Sequence, residues 1–318
     1  MTYRDLLLQK IDELNHHSLC HQLRVMRLTK SLTQHIRGEK LLDENAIKHQ
    51  VNELLRYTVL IPIPIPFGEK IFFTRANIFL GNEEFPCYEK VSRLSYIPEE
   101  SGLVPNLGRM NKQGEILYYC CWDVANDSLN CSIREVQAEQ GQYVNVLISS
   151  VKESIAESAI DPFLYIGCLG VYDYFRKEKP LPFLVNKFFK ETYLTLKQNL
   201  KPQALNAMQA CDEFLTNALL TPSSERLYQV TSEIAQNCLA FKKLDGLIYP
   251  STHIHTTPSL VLKTNSVDLK LQHLSAVCVK VPAIDEPVML RHHGVVEGEV
   301  IRWFPEKCQS KFASNQKN

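Results

Sequence analysis

The sequence predicts an α+β protein, and three observations carry that prediction. Helix-patterned and strand-patterned residues come in blocks: helices, strands, helices, strands. A regular βαβ alternation is missing. The composition, 45% apolar and 22% charged over 318 residues, is that of a chain that buries a sizeable core. Neither G-x-G-x-x-G nor G-x-x-x-x-G-K-[ST] occurs, so the common glycine-loop routes to a nucleotide have no support.

Residues 3 to 57 read as helices. Leu7, Ile11 and Leu14 recur at helical spacing after Thr2; Leu23, Met26 and Leu28 continue the tendency; Val51, Leu54 and Leu55 close it. IPIPIP follows at 61 to 66. Proline at every second position removes the donors a central strand needs, which predicts an extended connector or a sheet edge and places a boundary there. The expected organisation is a helical segment over 1–57 and a main domain over 58–318.

From 69 to 150, KIFFTRANIF, EILYYCCW and YVNVLIS are β-branched and aromatic runs bounded by Gly, Asn and Pro, the pattern of strands. Residues 151 to 243 read as a large helical insertion. Its clearest helix starts at TPSSE, with Thr221 as N-cap and Pro222 in the first turn. Leu227, Val230, Ile234, Cys238 and Phe241 form its apolar stripe. LDGLIYPST is then a turn and a short strand. VDLKLQHLSAVCVKV and HGVVEGEVIRWF predict further strands before a frayed tail, SKFASNQKN.

Thirty-five basic and thirty-five acidic side chains cancel, which predicts no strong attraction to nucleic acid or to an acidic membrane. An anionic ligand would need a local cluster of positive groups. The N-terminus is too charged for a signal peptide, and no apolar run approaches the roughly 20 residues of a bilayer span. Ten scattered cysteines without a C-x-x-C pair read as reduced, mostly buried thiols, and the expected location is cytoplasmic.

Five segments hold candidate chemistry. Arg75 stands in the apolar FFTRANIF, where a cation needs an anionic partner, a sheet edge or water. Arg109 lies between turn residues in GRMNKQG, with Asn111 two residues on. Glycine lets backbone approach a ligand, and a guanidinium grips two phosphate oxygens or simply lies exposed on a hairpin. Tyr118 and Tyr119 alternate on a strand, so one faces in and one out. Glu135 falls in a helical SIREV, as a solvated residue or a cleft carboxylate. Ser251 ends a strand as a turn residue or a ligand. His253, His255, His292 and His293 have no third ligand at telling spacing, so no metal is expected. No G-x-S-x-G elbow supports a serine triad.

Taken in order, FFTRAN, GRMNKQG, ILYY, SIREV and LDGLIYPST resemble the motif series of the RES-domain family, named for an arginine, a glutamate and a serine. The resemblance spans about residues 69 to 265; GRMNKQG and LDGLIYPST are its more specific parts. Met110 stands where the family prefers an aromatic, and Leu107 where a second glycine often precedes. The resemblance implies an ADP-ribosyltransferase-like split antiparallel sheet around an NAD cleft, with NAD as substrate and no metal. It implies cleavage of the nicotinamide–ribose bond, with water, phosphate or a protein as acceptor, and a toxin held by a helix-turn-helix antitoxin as one biological setting. Glu135 would stabilise the ribosyl cation. Arg75 and Arg109 would bind the pyrophosphate, Tyr118 would stack on nicotinamide, and Asn111 and Ser251 would complete the site. A binding protein that kept this fold and lost turnover is the competing expectation.

Overall fold

A computed structural model of the protein describes residues 3–16, 21–60, 62–81, 84–98, 101–123, 127–153, 161–170, 186–252, 257–282 and 289–305. Among the described residues are eight α-helices and a single ten-stranded sheet, antiparallel but for one pair, so the fold is α+β. His253, His255 and the tail from 306 lie outside the described residues.

Three helices open the chain: α1 (Tyr3–His16), α2 (His21–Arg37) and α3 (Glu44–Leu55). Leu7, Ile11 and Leu14 form the buried stripe of α1 as their spacing predicts. On α2 the buried face is instead Val25 and Leu32, while Leu23 and Met26 stay exposed. Asp43 caps α3, its carboxylate accepting from the Ala46 amide at 2.8 Å.

Strand β1 (Ile63–Pro66) is the edge of the sheet, pairing only with β5 (Phe163–Cys168). A proline-rich strand fits there because its missing donors can sit on the open side. The strands β2 (Phe72–Ile78), β3 (Leu117–Trp122) and β4 (Tyr143–Val151) form where expected, with helix α4 (Ser128–Glu135) between the last two.

The insertion differs in part from its helical reading. Its first portion supplies β5, and its helices are α5 (Asn186–Asn199), α6 (Pro202–Leu220) and α7 (Glu225–Leu239). The cap of α7 is Ser224, whose hydroxyl accepts from the Leu227 amide at 3.2 Å; Thr221 instead ends α6. Leu227, Val230, Ile234 and Cys238 are buried as predicted, but Phe241 falls beyond the helix and is exposed. These helices carry the chain across the sheet from β5 to its parallel neighbour β6 (Gly246–Tyr249), the crossover that a parallel pair requires. α5 packs on α1, α6 on α2, and α7 on α2 and α3, so one hydrophobic core runs from Leu7 through Leu215 and Leu227 to Leu247.

After β7 (Ser259–Lys263) comes the short helix α8 (Thr264–Lys270), which takes up residues 267–270 at the start of the run predicted as a strand. Strands β8 (Leu271–Lys280), β9 (Met289–Glu297) and β10 (Val300–Pro305) then extend the sheet as a meander. The full order is β1-β5-β6-β7-β3-β2-β4-β8-β9-β10.

Candidate active site

The site lies where two central strands part. β2 pairs with β4 over its whole length, from Phe72↔Ser150 to Ile78↔Val144. Against β3 it pairs only at Phe73↔Trp122 and Thr74↔Cys121. Beyond Thr74 the two strands no longer satisfy each other's backbone, and polar groups must do so. Arg75 is the next residue. Its Nη1 donates to the Tyr119 carbonyl at 2.8 Å and its Nε to the Ser95 carbonyl at 3.0 Å. Its guanidinium also lies 5.4 Å from the Tyr118 ring centre. Burial pushes its pKa down. Among the described residues no carboxylate pairs with it.

Helix α4 brings the carboxylate. Thr74 Oγ1 donates to the Ser128 carbonyl at 2.9 Å, tying the start of α4 to β2. Ile133 packs on Ala76, Val144 and Val146, which fixes the roll of the helix. Glu135 is its last residue; Gln137 then turns the chain away through φ 51°. A carboxylate at a helix C-terminus meets the negative end of the dipole, so it needs compensating donors. Ser251 Oγ donates to Glu135 Oε1 at 2.9 Å and Ser259 Oγ at 3.0 Å. Both serines are buried, while the glutamate keeps an exposed side. They come from the end of β6 and the start of β7, adjacent antiparallel strands with Tyr249 opposite Ser259.

Behind them, Cys131 Sγ lies 3.5 Å from Ser251 Oγ. Cys131 also hydrogen-bonds the Cys121 thiol, and that bond, together with burial, holds Cys121 well above the ordinary thiol pKa. The eight described cysteines are all buried and free.

A cavity of about 230 Å³ joins these groups, lined among others by Arg75, Asn77, Tyr119, Glu135, Tyr249 and Ser259. Arg75 and Glu135 therefore line one cleft, with Ser251 directly behind the carboxylate.

Three of the other sequence candidates sit elsewhere. Arg109 is absent from the cavity lining. Its Nη1 donates to the Leu219 carbonyl at 2.9 Å and its Nη2 to the Thr221 carbonyl at 3.2 Å, so it caps the C-terminus of α6. Tyr228 lies under that guanidinium, 5.8 Å to the ring centre. Asn111 is 6% exposed and spends its amide on the Asn106 and Lys112 carbonyls, while its oxygen accepts from Tyr119 Oη at 2.8 Å. The Tyr119 hydroxyl in turn accepts from the Met110 amide at 2.9 Å. The GRMN turn is thus a clamp that positions Tyr119, with Met110 fully buried in the core.

Of the two tyrosines that alternate on β3, it is Tyr119 rather than Tyr118, the residue the resemblance singled out, that lines the cavity. Tyr119 walls the cavity; Tyr118 is fully buried, its hydroxyl 3.2 Å from Ser149 Oγ, and it meets the site only as the ring beside Arg75. Strand alternation announces that the two differ but not which faces the cleft. Ser259, Cys131 and Tyr249 have no sequence signal of their own. Ser259 could be sought only as a hydroxyl residue at a strand mouth.

Among the described residues no group of three or more His, Cys, Asp or Glu side chains could hold a metal. His292 packs against the Phe85 ring at 5.5 Å. No helix among the described residues is long and apolar enough to cross a membrane. Compared with protein-family models, curated proteins and solved structures, the chain matches none.

Proposed function

We propose that the protein cleaves the nicotinamide–ribose bond of NAD, with Glu135 as the carboxylate that faces the developing ribosyl cation. The observation that carries this reading is the pairing, in one cavity, of an exposed-faced carboxylate held by two serine hydroxyls with a guanidinium that has no acidic partner among the described residues. The parting of β2 from β3 after two residue pairs supports an ADP-ribosyltransferase-like split sheet as the finer description of the fold.

The chemistry follows from the charges. The glycosidic electron pair leaves with nicotinamide, which becomes neutral, so no strong general acid is needed. Positive charge builds on the ribose, where a fixed carboxylate stabilises it, as in glycoside cleavage. The hydroxyls of Ser251 and Ser259 hold one carboxylate oxygen, which fixes the direction in which the group presents its charge to the sugar. Arg75 supplies charge for the adjacent phosphate. The cavity is smaller than the roughly 300–1,000 Å³ of ligand pockets in general, which suits the nicotinamide-ribose half and leaves the adenosine half on the surface. Water would capture the cation to give ADP-ribose; inorganic phosphate would give the ribosyl phosphate.

The test is release of nicotinamide from NAD by the purified chain, followed by chromatography with and without phosphate. Release that Glu135→Gln removes supports the reading; no release under either condition defeats it. The engagement of Arg109 by the α6 carbonyls favours a second reading, a fold that binds NAD without turnover. That reading predicts saturable NAD binding, weakened by Arg75→Ala, and no free nicotinamide.

A further inference from the structure

Five hydroxyl-bearing residues line the Glu135 cavity: Thr74, Tyr119, Ser132, Tyr249 and Ser259. Four of them have given their proton away. Thr74 Oγ1 and Ser132 Oγ each donate to the Ser128 carbonyl at 2.9 Å, Tyr119 Oη donates to Asn111 Oδ1 at 2.8 Å, and Ser259 Oγ donates to Glu135 Oε1 at 3.0 Å. Tyr249 is the fifth. Its hydroxyl makes no hydrogen bond among the described residues. The residue is 4% exposed, yet its oxygen keeps accessible surface, unlike the fully enclosed and unpaired Ser95 Oγ and Thr257 Oγ1. That surface opens on the cavity that the residue lines. A buried tyrosine ordinarily finds a partner for its hydroxyl, so an unspent one at a cavity wall points to a ligand.

The sheet fixes where this hydroxyl stands. Tyr249 on β6 is paired directly with Ser259 on β7. Directly opposed residues project to the same face of a sheet. Ser259 holds the Glu135 carboxylate on that face, so the phenol stands beside the carboxylate. Burial first, and then the neighbouring Tyr119 and Glu135, hold its pKa well above the usual phenol value. The hydroxyl therefore stays protonated and remains a donor.

We infer that the Tyr249 hydroxyl donates to the carboxamide oxygen of a bound nicotinamide, which makes Tyr249 a substrate-contacting residue that orients the leaving group. The inference rests on the reading of this cavity as the seat of the nicotinamide–ribose half of NAD. In that half the ribose hydroxyls can donate to a carboxylate, and the phosphate takes a guanidinium. The carboxamide oxygen only accepts, so it needs a donor. Tyr249 holds the one hydroxyl proton still unspent among the described lining residues. A donor on that oxygen also draws charge toward the departing ring, which receives the glycosidic electron pair.

Ligand-observed NMR on the full chain, with nicotinamide and ADP-ribose titrated separately, tests the contact without requiring turnover. Tyr249→Phe keeps the ring and removes only the hydroxyl. It is expected to weaken nicotinamide by at least about three-fold, the scale of one lost neutral hydrogen bond, and to leave ADP-ribose within about two-fold. The urea midpoint of the variant should be unchanged or higher, because no bond within the chain is lost. Four results each overturn the assignment: no binding of nicotinamide to the wild type, an affinity moved by less than about three-fold, a lowered midpoint, or an equal or greater weakening of ADP-ribose. The cleavage reading fails separately. A chain that binds nicotinamide through Tyr249 but releases none from NAD keeps this contact and loses the turnover; a chain that cleaves NAD with nicotinamide affinity unmoved by Tyr249→Phe does the reverse.

Discussion

Ser251 Oγ donates to Glu135 Oε1 at 2.9 Å, joining residues 116 positions apart in the chain. With Ser259 on the same oxygen, the carboxylate is oriented from one side, and the residue keeps an exposed face. If that carboxylate faces a ribosyl cation, Glu135→Gln should lower nicotinamide release by about 100-fold or more, the scale of removing a preorganised electrostatic group. Ser251→Ala should lower it by about ten-fold, and the Ser251→Ala, Ser259→Ala pair by more than either alone, with circular dichroism unchanged. Steady-state assays against wild type check both; a Glu135→Gln variant at full rate removes Glu135 from the chemistry.

Arg75 has a structural as well as a chemical part. Its donors satisfy the Ser95 and Tyr119 carbonyls where β2 and β3 separate. Arg75→Met should therefore cost about 2–4 kcal/mol of stability, from two buried acceptors left unmatched. Arg75→Lys keeps the charge but cannot reproduce the fork, so it should recover less than half of that loss. Urea denaturation of the two variants measures the difference.

Arg109 should behave differently. Its two bonds end α6 on the Leu219 and Thr221 carbonyls. Arg109→Ala is expected to lower stability by about 1–2 kcal/mol, the worth of a helix cap with charge-assisted bonds. Its effect on nicotinamide release per folded molecule should stay within about two-fold. A loss of turnover as large as that of the Glu135 variant would return Arg109 to the ligand site.

His273 sets a pH dependence whose sign is fixed by burial. Its pKa in the folded chain lies at about 4, below the ordinary 6.5, because burial disfavours the charged ring. Asp268 pulls the value up and Lys152 pulls it down, both less strongly than burial. The unfolded chain thus binds the proton first as pH falls. Stability from this residue is complete above about pH 6.5 and declines steadily toward pH 4, by up to about 3 kcal/mol. His273→Gln should flatten that part of the stability–pH curve; an unchanged slope would mean another group titrates there.

Local pattern was enough for much of this molecule. Leu7, Ile11 and Leu14 announce α1, Leu227 to Cys238 announce α7, and the alternating prolines announce an edge. The DG before LIY is also explicable once the sheet exists. Asp245 Oδ2 accepts from Lys270 Nζ and the Tyr165 amide, each at 2.7 Å, and the Val261 carbonyl stands where a Cβ on residue 246 would have to go, so only glycine fits. Spacing could not foresee either requirement, because both are set by β5, β7 and α8 arriving from elsewhere in the chain.

The sequence by itself determined the blocks of helix and strand, since periodicity and proline or glycine chemistry act within a few residues. It also contained the resemblance that singled out Arg75, Glu135 and Ser251. Only the tertiary structure decided which tyrosine walls the cavity, that Arg109 caps a helix, and that Ser259 shares the glutamate. Those outcomes depend on which distant backbone carbonyl or hydroxyl is left in need of a partner, and that need arises only when the strands pair and then part.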